Sequence, residues 1–306
     1  MMREKSVVSL LLLPLIWGGY YVASQYLVEC TSPFASGVGI RFVTLIFLTL
    51  LMAGKKELLL LRRIQGVWKQ LILIGTLGFL LDWTAFTGLS MSSAASGTAL
   101  LKCDVLMVYL MSMVIYRQRF TWKAWGFVLV MLCGVFLVMG VDFRTFQIDN
   151  PGNLFFLLSA FFVSLNAFVI KSVQTDRKNP ICDDVVAYYN NLITMIYFSA
   201  ALLATGRAGD LSPVAEDGAA GLSLLLAALG QTLVYVVYYY NLRNYEVWLV
   251  KTCLLLMPAV SAVVTFLLFG EKLVGTQYAG MAVVIAGAVG ILWEQKNMGM
   301  EKERRR

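Results

Sequence analysis

Runs of apolar residues alternate with short polar punctuation along the whole chain. Each run approaches about twenty residues, the length at which a helix spans a hydrocarbon layer about 30 Å thick. The pattern predicts helices near 7–28, 33–53, 70–89, 94–115, 122–141, 152–171, 184–205, 220–241, 247–269 and 275–293. A closed barrel would show short strands of alternating hydrophobicity instead. The separators carry the chemistry of helix ends: Pro33 opens the second segment, Pro151 and Gly152 open the sixth, and Gly206, Gly209 and Pro213 mark a long connection. The stretch "GKKELLLLRRIQGVWK" reads as a short helix on the membrane face, basic side chains toward phosphate.

Composition agrees with the pattern. Of 306 residues 59% are hydrophobic and 14% charged, with mean hydropathy +0.74, far from the balance of a soluble domain. The net charge of +7 does not point to nucleic acid, because so apolar a chain has no basic groove to build. Residues 294–306, ending "EKERRR", read as a cytosolic basic tail beside anionic lipid. Five scattered cysteines and no histidine leave no zinc or haem pattern, and no cofactor is called for. The basic start and long apolar stretch at the N-terminus read as a retained first span.

Lysine and arginine set the orientation. Nineteen of the 25 fall in segments that are internal if the N-terminus is inside, and three (Arg144, Arg207 and Lys272) fall outside. This bias predicts both termini in the cytosol and a multi-pass protein of the inner (plasma) membrane. An offset of 154 sets Gly126 on Gly280 and Asp104 on Pro258, so the two halves run in the same order of elements. An odd number of helices per half makes the second copy enter from the other side. The predicted fold is therefore an all-α membrane protein of ten transmembrane helices in two inverted-topology five-helix repeats, 7–141 and 152–293. "AGMAVVIAGAVG" spaces Ala282, Ala286 and Gly290 for close packing, and Gly126, Gly134 and Gly140 thin the fifth helix.

Several motifs carry a resemblance: "LIWGGYYVASQYL", "SPFASGVGIRF", "GLSMSSAASGTALL" and, most specifically, "MPAVSAVVTFLLFGEKLVGTQYAGMAVVIAG". Over residues 7 to 293 the chain resembles the drug/metabolite transporter superfamily, in its ten-helix branch of two EamA domains. The resemblance implies a cavity between the first four helices of each half, with the fifth and tenth as scaffold. Two departures stand beside that cavity: Asp104 where the pattern commonly has proline, and "YRQRF" where it commonly has Gly-Glu-x-Leu.

Charges inside the spans are candidate site residues, because each costs about 2.5 to 3.5 kcal/mol to insert. Helical rise places Arg41 and Lys102 about 12 Å, Asp104 about 15 Å and Asp82 about 10 Å from the outer surface. These two cations and two acids share one layer, and each acid is expected near Arg41 or Lys102. The cluster is either a permanent structural one or a polar floor that trades an internal partner for a substrate charge. Lys102 and Asp104 point about 200° apart on a helix, so Asp104 is the better cavity residue and Lys102 is a partner for Asp82. Lys251, nearer the inner end, reads as snorkelling, and Glu271 as fixing its turn in water. Asn166, Asn190 and Gln231 can hydrogen-bond a substrate or join helices. Trp17 and Trp83 lie too deep for an interfacial belt and suit an ammonium by cation–π attraction or an aromatic substrate by stacking.

Together these features predict a secondary transporter working by alternating access, a monomer with a dimer as the open alternative, and with protons as the candidate coupling ion. The predicted substrate is a small amine-containing or zwitterionic metabolite, an amino acid or derivative. A choline-like quaternary amine is the alternative. An intramembrane enzyme is a lesser one, since Asp82 with Asp104 is the one close acid pair and histidine is absent.

Overall fold

The computed structural model describes residues 7–64, 66–91, 94–141, 150–176, 179–269 and 274–304. Glu271 with its turn, and the loop charges Arg144, Arg177, Lys178 and Lys272, lie outside the described residues. The described chain is helical throughout: α1 (Val7–Cys30), α2 (Pro33–Gly54), α3 (Trp68–Met91), α4 (Ala94–Leu101), α5 (Asp104–Tyr116), α6 (Trp122–Val138), α7 (Pro151–Gln174), α8 (Asp183–Ala204), α9 (Ser212–Glu216), α10 (Gly218–Asn244), α11 (Val247–Cys253), α12 (Met257–Phe269) and α13 (Gly275–Arg304). Among the described residues seven helical stretches are long and apolar enough to cross a membrane, and the molecule is an all-α, multi-pass membrane protein.

Helix starts follow from local chemistry. Ser32 accepts from the Ala35 amide ahead of Pro33, Thr121 accepts from Ala124, Asn150 from Gly152 beside Pro151, and Asp217 from Ala219. Each satisfies an amide that a helix start leaves without a partner. The "GKKELLLLRRIQGVWK" stretch forms a 3-10 turn over Leu58–Arg62.

Two segments predicted as continuous are interrupted. Between α4 and α5 the chain tightens, with Lys102 and Cys103 donating to Ala99 and Leu100, three residues back instead of four. Between α11 and α12 a 3-10 turn covers Leu254–Leu256, just before Pro258, which has no amide to donate.

The most extensive helix pairings are α3 with α7, α6 with α13, α1 with α10 and α2 with α8, so each joins an early helix to a late one. The α6–α13 seam is made by glycine. A Cβ on Gly134 would come within 2.9 Å of the Gly280 carbonyl, and one on Gly280 within 2.7 Å of the Gly134 carbonyl. Gly287 and Gly290 receive Met131 and Phe127. The predicted stripe is corrected here: Ala282 and Ala286 are exposed, and a Cβ on Gly126 would meet open space. The contact runs along Gly280, Val284, Gly287 and Gly290 instead, one helical face of three- and four-residue steps.

Candidate functional site

The centre of the bundle is built on α10, which carries Tyr235, Tyr238 and Tyr239, all buried. Their three- and four-residue spacing keeps them on one helical face. Tyr239 meets Tyr235 and Tyr238 edge-on at 5.6 and 6.0 Å between ring centroids. Trp17 of α1 adds its ring edge-on to Tyr238 at 5.3 Å.

Two ion pairs flank this face. Arg41 of α2 donates Nη2 to Asp82 Oδ2 of α3 at 2.6 Å and Nη1 to the Tyr235 hydroxyl at 3.1 Å. Its guanidinium also stands 5.3 Å from the Phe198 ring centroid. Lys251 of α11 donates to Asp104 Oδ2 of α5 at 2.9 Å, and its ammonium lies 5.7 Å from the Tyr238 centroid. A cation on a tyrosine face gains from the ring quadrupole as well as from its carboxylate.

The second pair corrects the sequence reading. Asp104 takes Lys251, not Arg41 or Lys102, and Asp82 takes Arg41, not Lys102. Lys251 cannot snorkel, because every residue of α11 from Val247 to Cys253 is buried and Lys251 itself is 2% exposed. With its stem enclosed, a carboxylate inside the bundle is what compensates the charge. Lys102 directs Nζ at the Met257 sulfur, 3.6 Å away at the start of α12.

The amide candidates divide. Asn190 donates to the Tyr239 hydroxyl at 2.7 Å and accepts from Thr194 at 3.4 Å. Its neighbour Asn191 donates to the Arg41 carbonyl at 2.8 Å, tying α8 to α2. Gln231 is buried and hydrogen-bonds Tyr235. Asn166 is buried, and its Oδ1 has no partner among the described residues; the same holds for Asn191 Oδ1 and Arg41 Nε. Trp83 is 43% exposed on the outside of the bundle and is absent from the contacts that build the tyrosine face. Sequence reasoning gave Lys251 a snorkelling role and did not place Phe198 or the tyrosines Tyr235, Tyr238 and Tyr239 among the site residues. The signal for Lys251 was present, a lone lysine inside the apolar "VWLVKTCLLLMP".

Polar contacts also close the end of the bundle at the α2–α3 loop and the start of α8. Lys55 pairs with Asp184 at 2.5 Å, Arg243 pairs with Asp183 at 2.6 Å and donates to the Ile181 carbonyl, and Gln174 donates to Asp183 at 2.7 Å. Lys171 donates to the carbonyls of Leu242 and Tyr245, a cation at the C-terminal end of α10. Cys182 directs its thiol to Glu57 at 3.8 Å, and burial with nearby carboxylates raises its pKa above the usual thiol value. Glu57, Cys182 and Asp184 offer metal-type donor atoms within 4.8 Å of one another, and Lys55 already compensates Asp184.

Sequence comparison agrees with this architecture. The family profile of the EamA-like transporters matches residues 4–140 and 150–293. The chain belongs to this family, within the drug/metabolite transporter superfamily, and is a membrane transporter of small molecules. A probable amino-acid metabolite efflux pump of Escherichia coli (strain K12) is 22% identical over 96% of this chain and 98% of its own. An uncharacterized transporter of Methanothermobacter thermautotrophicus is 23% identical over 69% of this chain and 60% of its own length. A probable amino-acid metabolite efflux pump of Salmonella typhimurium is 24% identical over 63% and 66%. A solved crystal structure superposes with a TM-score of 0.78 over 94% of this chain and 97% of its own, at 16% identity, which shows the fold.

Proposed function

We propose that the chain is a ten-span secondary transporter of two inverted repeats, 7–141 and 152–293, that moves an amino acid or a closely related amine-containing metabolite by alternating access. Its termini, including the tail 294–306, face the cytosol of a plasma membrane protein. The observation that carries the reading is the tyrosine face of α10 with the Arg41–Asp82 pair at one side and the Asp104–Lys251 pair at the other. Both signs of charge beside aromatic rings are what a zwitterion with a carbon side chain needs.

Two further observations support it. The 154-residue register that sets Asp104 on Pro258 also brings the α4–α5 and α11–α12 interruptions together, and interrupted helices line the sites of inverted-repeat carriers. Two relatives are named as probable amino-acid metabolite efflux pumps. A choline-like amine is the second reading, favoured by the Lys251 ammonium already resting on the Tyr238 face.

The test is melting of the purified protein against amino acids, quaternary amines, nucleosides and organic phosphates, followed by exchange in proteoliposomes with each compound that stabilises it. Stabilisation and exchange with amino acids are the expected result. Exchange confined to nucleosides or phosphates would discard the amine reading.

A further inference from the structure

Three cations and two acids stand well inside the described spans, and the geometry pairs four of them. Arg41 takes Asp82 and Lys251 takes Asp104, which leaves Lys102. The Lys102 contact is the Met257 sulfur at 3.6 Å, a weak acceptor that carries no charge. An ammonium about 12 Å below the surface by helical rise is costly without an anion. It is also too far down to rest on a lipid headgroup.

Its position turns that cost into a clue. Lys102 sits in the interruption between α4 and α5, and Met257 begins α12 just past the interruption after α11. The ammonium therefore points from one broken helix to the other, into the bundle and away from lipid. Met257 is buried, whereas Lys102 is half-buried, unlike the enclosed Lys251. The Asp104–Lys251 pair lies within coulombic reach, and its carboxylate is already engaged by Lys251.

We infer that Lys102 is the docking point for a carboxylate of the transported solute, held between the two helix interruptions beside Met257. The inference rests on the transporter reading above and deepens it. The acids of the centre are already neutralised within the protein, so it is the solute's anionic end, not its amine, that supplies the missing charge. Aromatic rings and the orphaned Asn166 carbonyl oxygen remain for the rest of the molecule. Solutes bearing a carboxylate should bind better than the same carbon skeleton with that group capped.

Three matched probes test this: leucine, leucinamide and 4-methylpentanoate, titrated against the melting temperature of the wild-type protein and of Lys102→Met. In the wild type, leucine and 4-methylpentanoate should stabilise, and leucinamide should need at least tenfold more for the same shift. Lys102→Met should melt no lower than wild type, since it removes a charge that no carboxylate among the described residues pairs directly, and should lose the advantage of the carboxylate probes. Lys102→Gln serves the same purpose if the methionine variant does not purify. Stabilisation by leucinamide equal to that by leucine overturns the inference and leaves the amine reading intact. Stabilisation by both carboxylates but none by leucinamide supports it, and a response to 4-methylpentanoate without leucine supports it while removing the amine reading. No response to any probe counts against both, and an unchanged carboxylate response in the variant overturns the role of Lys102.

Discussion

Asp104 and Lys251 meet at 2.9 Å across 147 positions of sequence, joining a helix of the first half to a helix of the second. The lysine side chain is 1% exposed and the carboxylate side chain 12%, so water does little to share the charge. Removing one member leaves the other alone in a low dielectric, which costs about 3 to 5 kcal/mol for a buried pair.

Asp104→Asn should therefore melt earlier and express poorly. Combining it with Lys251→Met removes both charges and should recover most of the stability, because an apolar replacement of the whole pair is nearly neutral. Exchange by the double variant should stay at least tenfold below wild type. A double variant that exchanges normally would assign the pair to structure alone.

Arg41 uses separate nitrogens for Asp82 and Tyr235, so the two contacts can be removed one at a time. Tyr235→Phe deletes one acceptor and should lower stability by about 1 to 3 kcal/mol. Arg41→Lys keeps the charge for Asp82 but loses the planar fork, and should reduce exchange more than Tyr235→Phe does. Proteoliposome exchange rates, compared at equal reconstituted protein, decide the order.

On α6 two glycines offer an internal control. Gly126→Ala meets open space and should leave the melting temperature unchanged or slightly raised by the better helix former. Gly134→Ala drives a methyl to 2.7 Å from Val284 and 2.9 Å from the Gly280 carbonyl, so α6 and α13 must separate. A fall of several degrees is expected for Gly134→Ala only. Equal behaviour of the two variants would show that the seam does not set stability.

Orientation can be read by labelling single cysteines placed at Ala208 and Asn297 in a background lacking the five native ones. Impermeant reagent added outside intact cells should modify Ala208→Cys and spare Asn297→Cys. The reverse pattern would invert the charge-based assignment.

The helices were legible because a membrane makes length and apolarity do the work of periodicity. Proline and glycine punctuation placed helix starts at Pro33 and Pro151. The interruption beside Pro258 had a local cause in the sequence, whereas that at Lys102 has none and appears only once the bundle is assembled. Pairing was the part hidden from a linear reading. Depth along the helix axis brought Arg41 and Asp82 to one layer, but depth says nothing of which faces meet. Lys251 was misplaced for that reason, since its partners, Asp104 of α5 and the Tyr238 ring of α10, come together only in the assembled bundle.

The two interruptions have a mechanical consequence. A continuous helix transmits a push along its axis with little bending, whereas a break behaves as an elbow, and here each elbow has a lysine within three residues of it. A force applied to Lys102 or Lys251 acts on a short lever beside a pivot, so neutralising either ammonium changes the preferred bend angle as well as the local field. If a solute anion docks at Lys102 as inferred above, its binding and the bend at that elbow would be coupled, and by reciprocity a change in the bend would alter how tightly the anion is held.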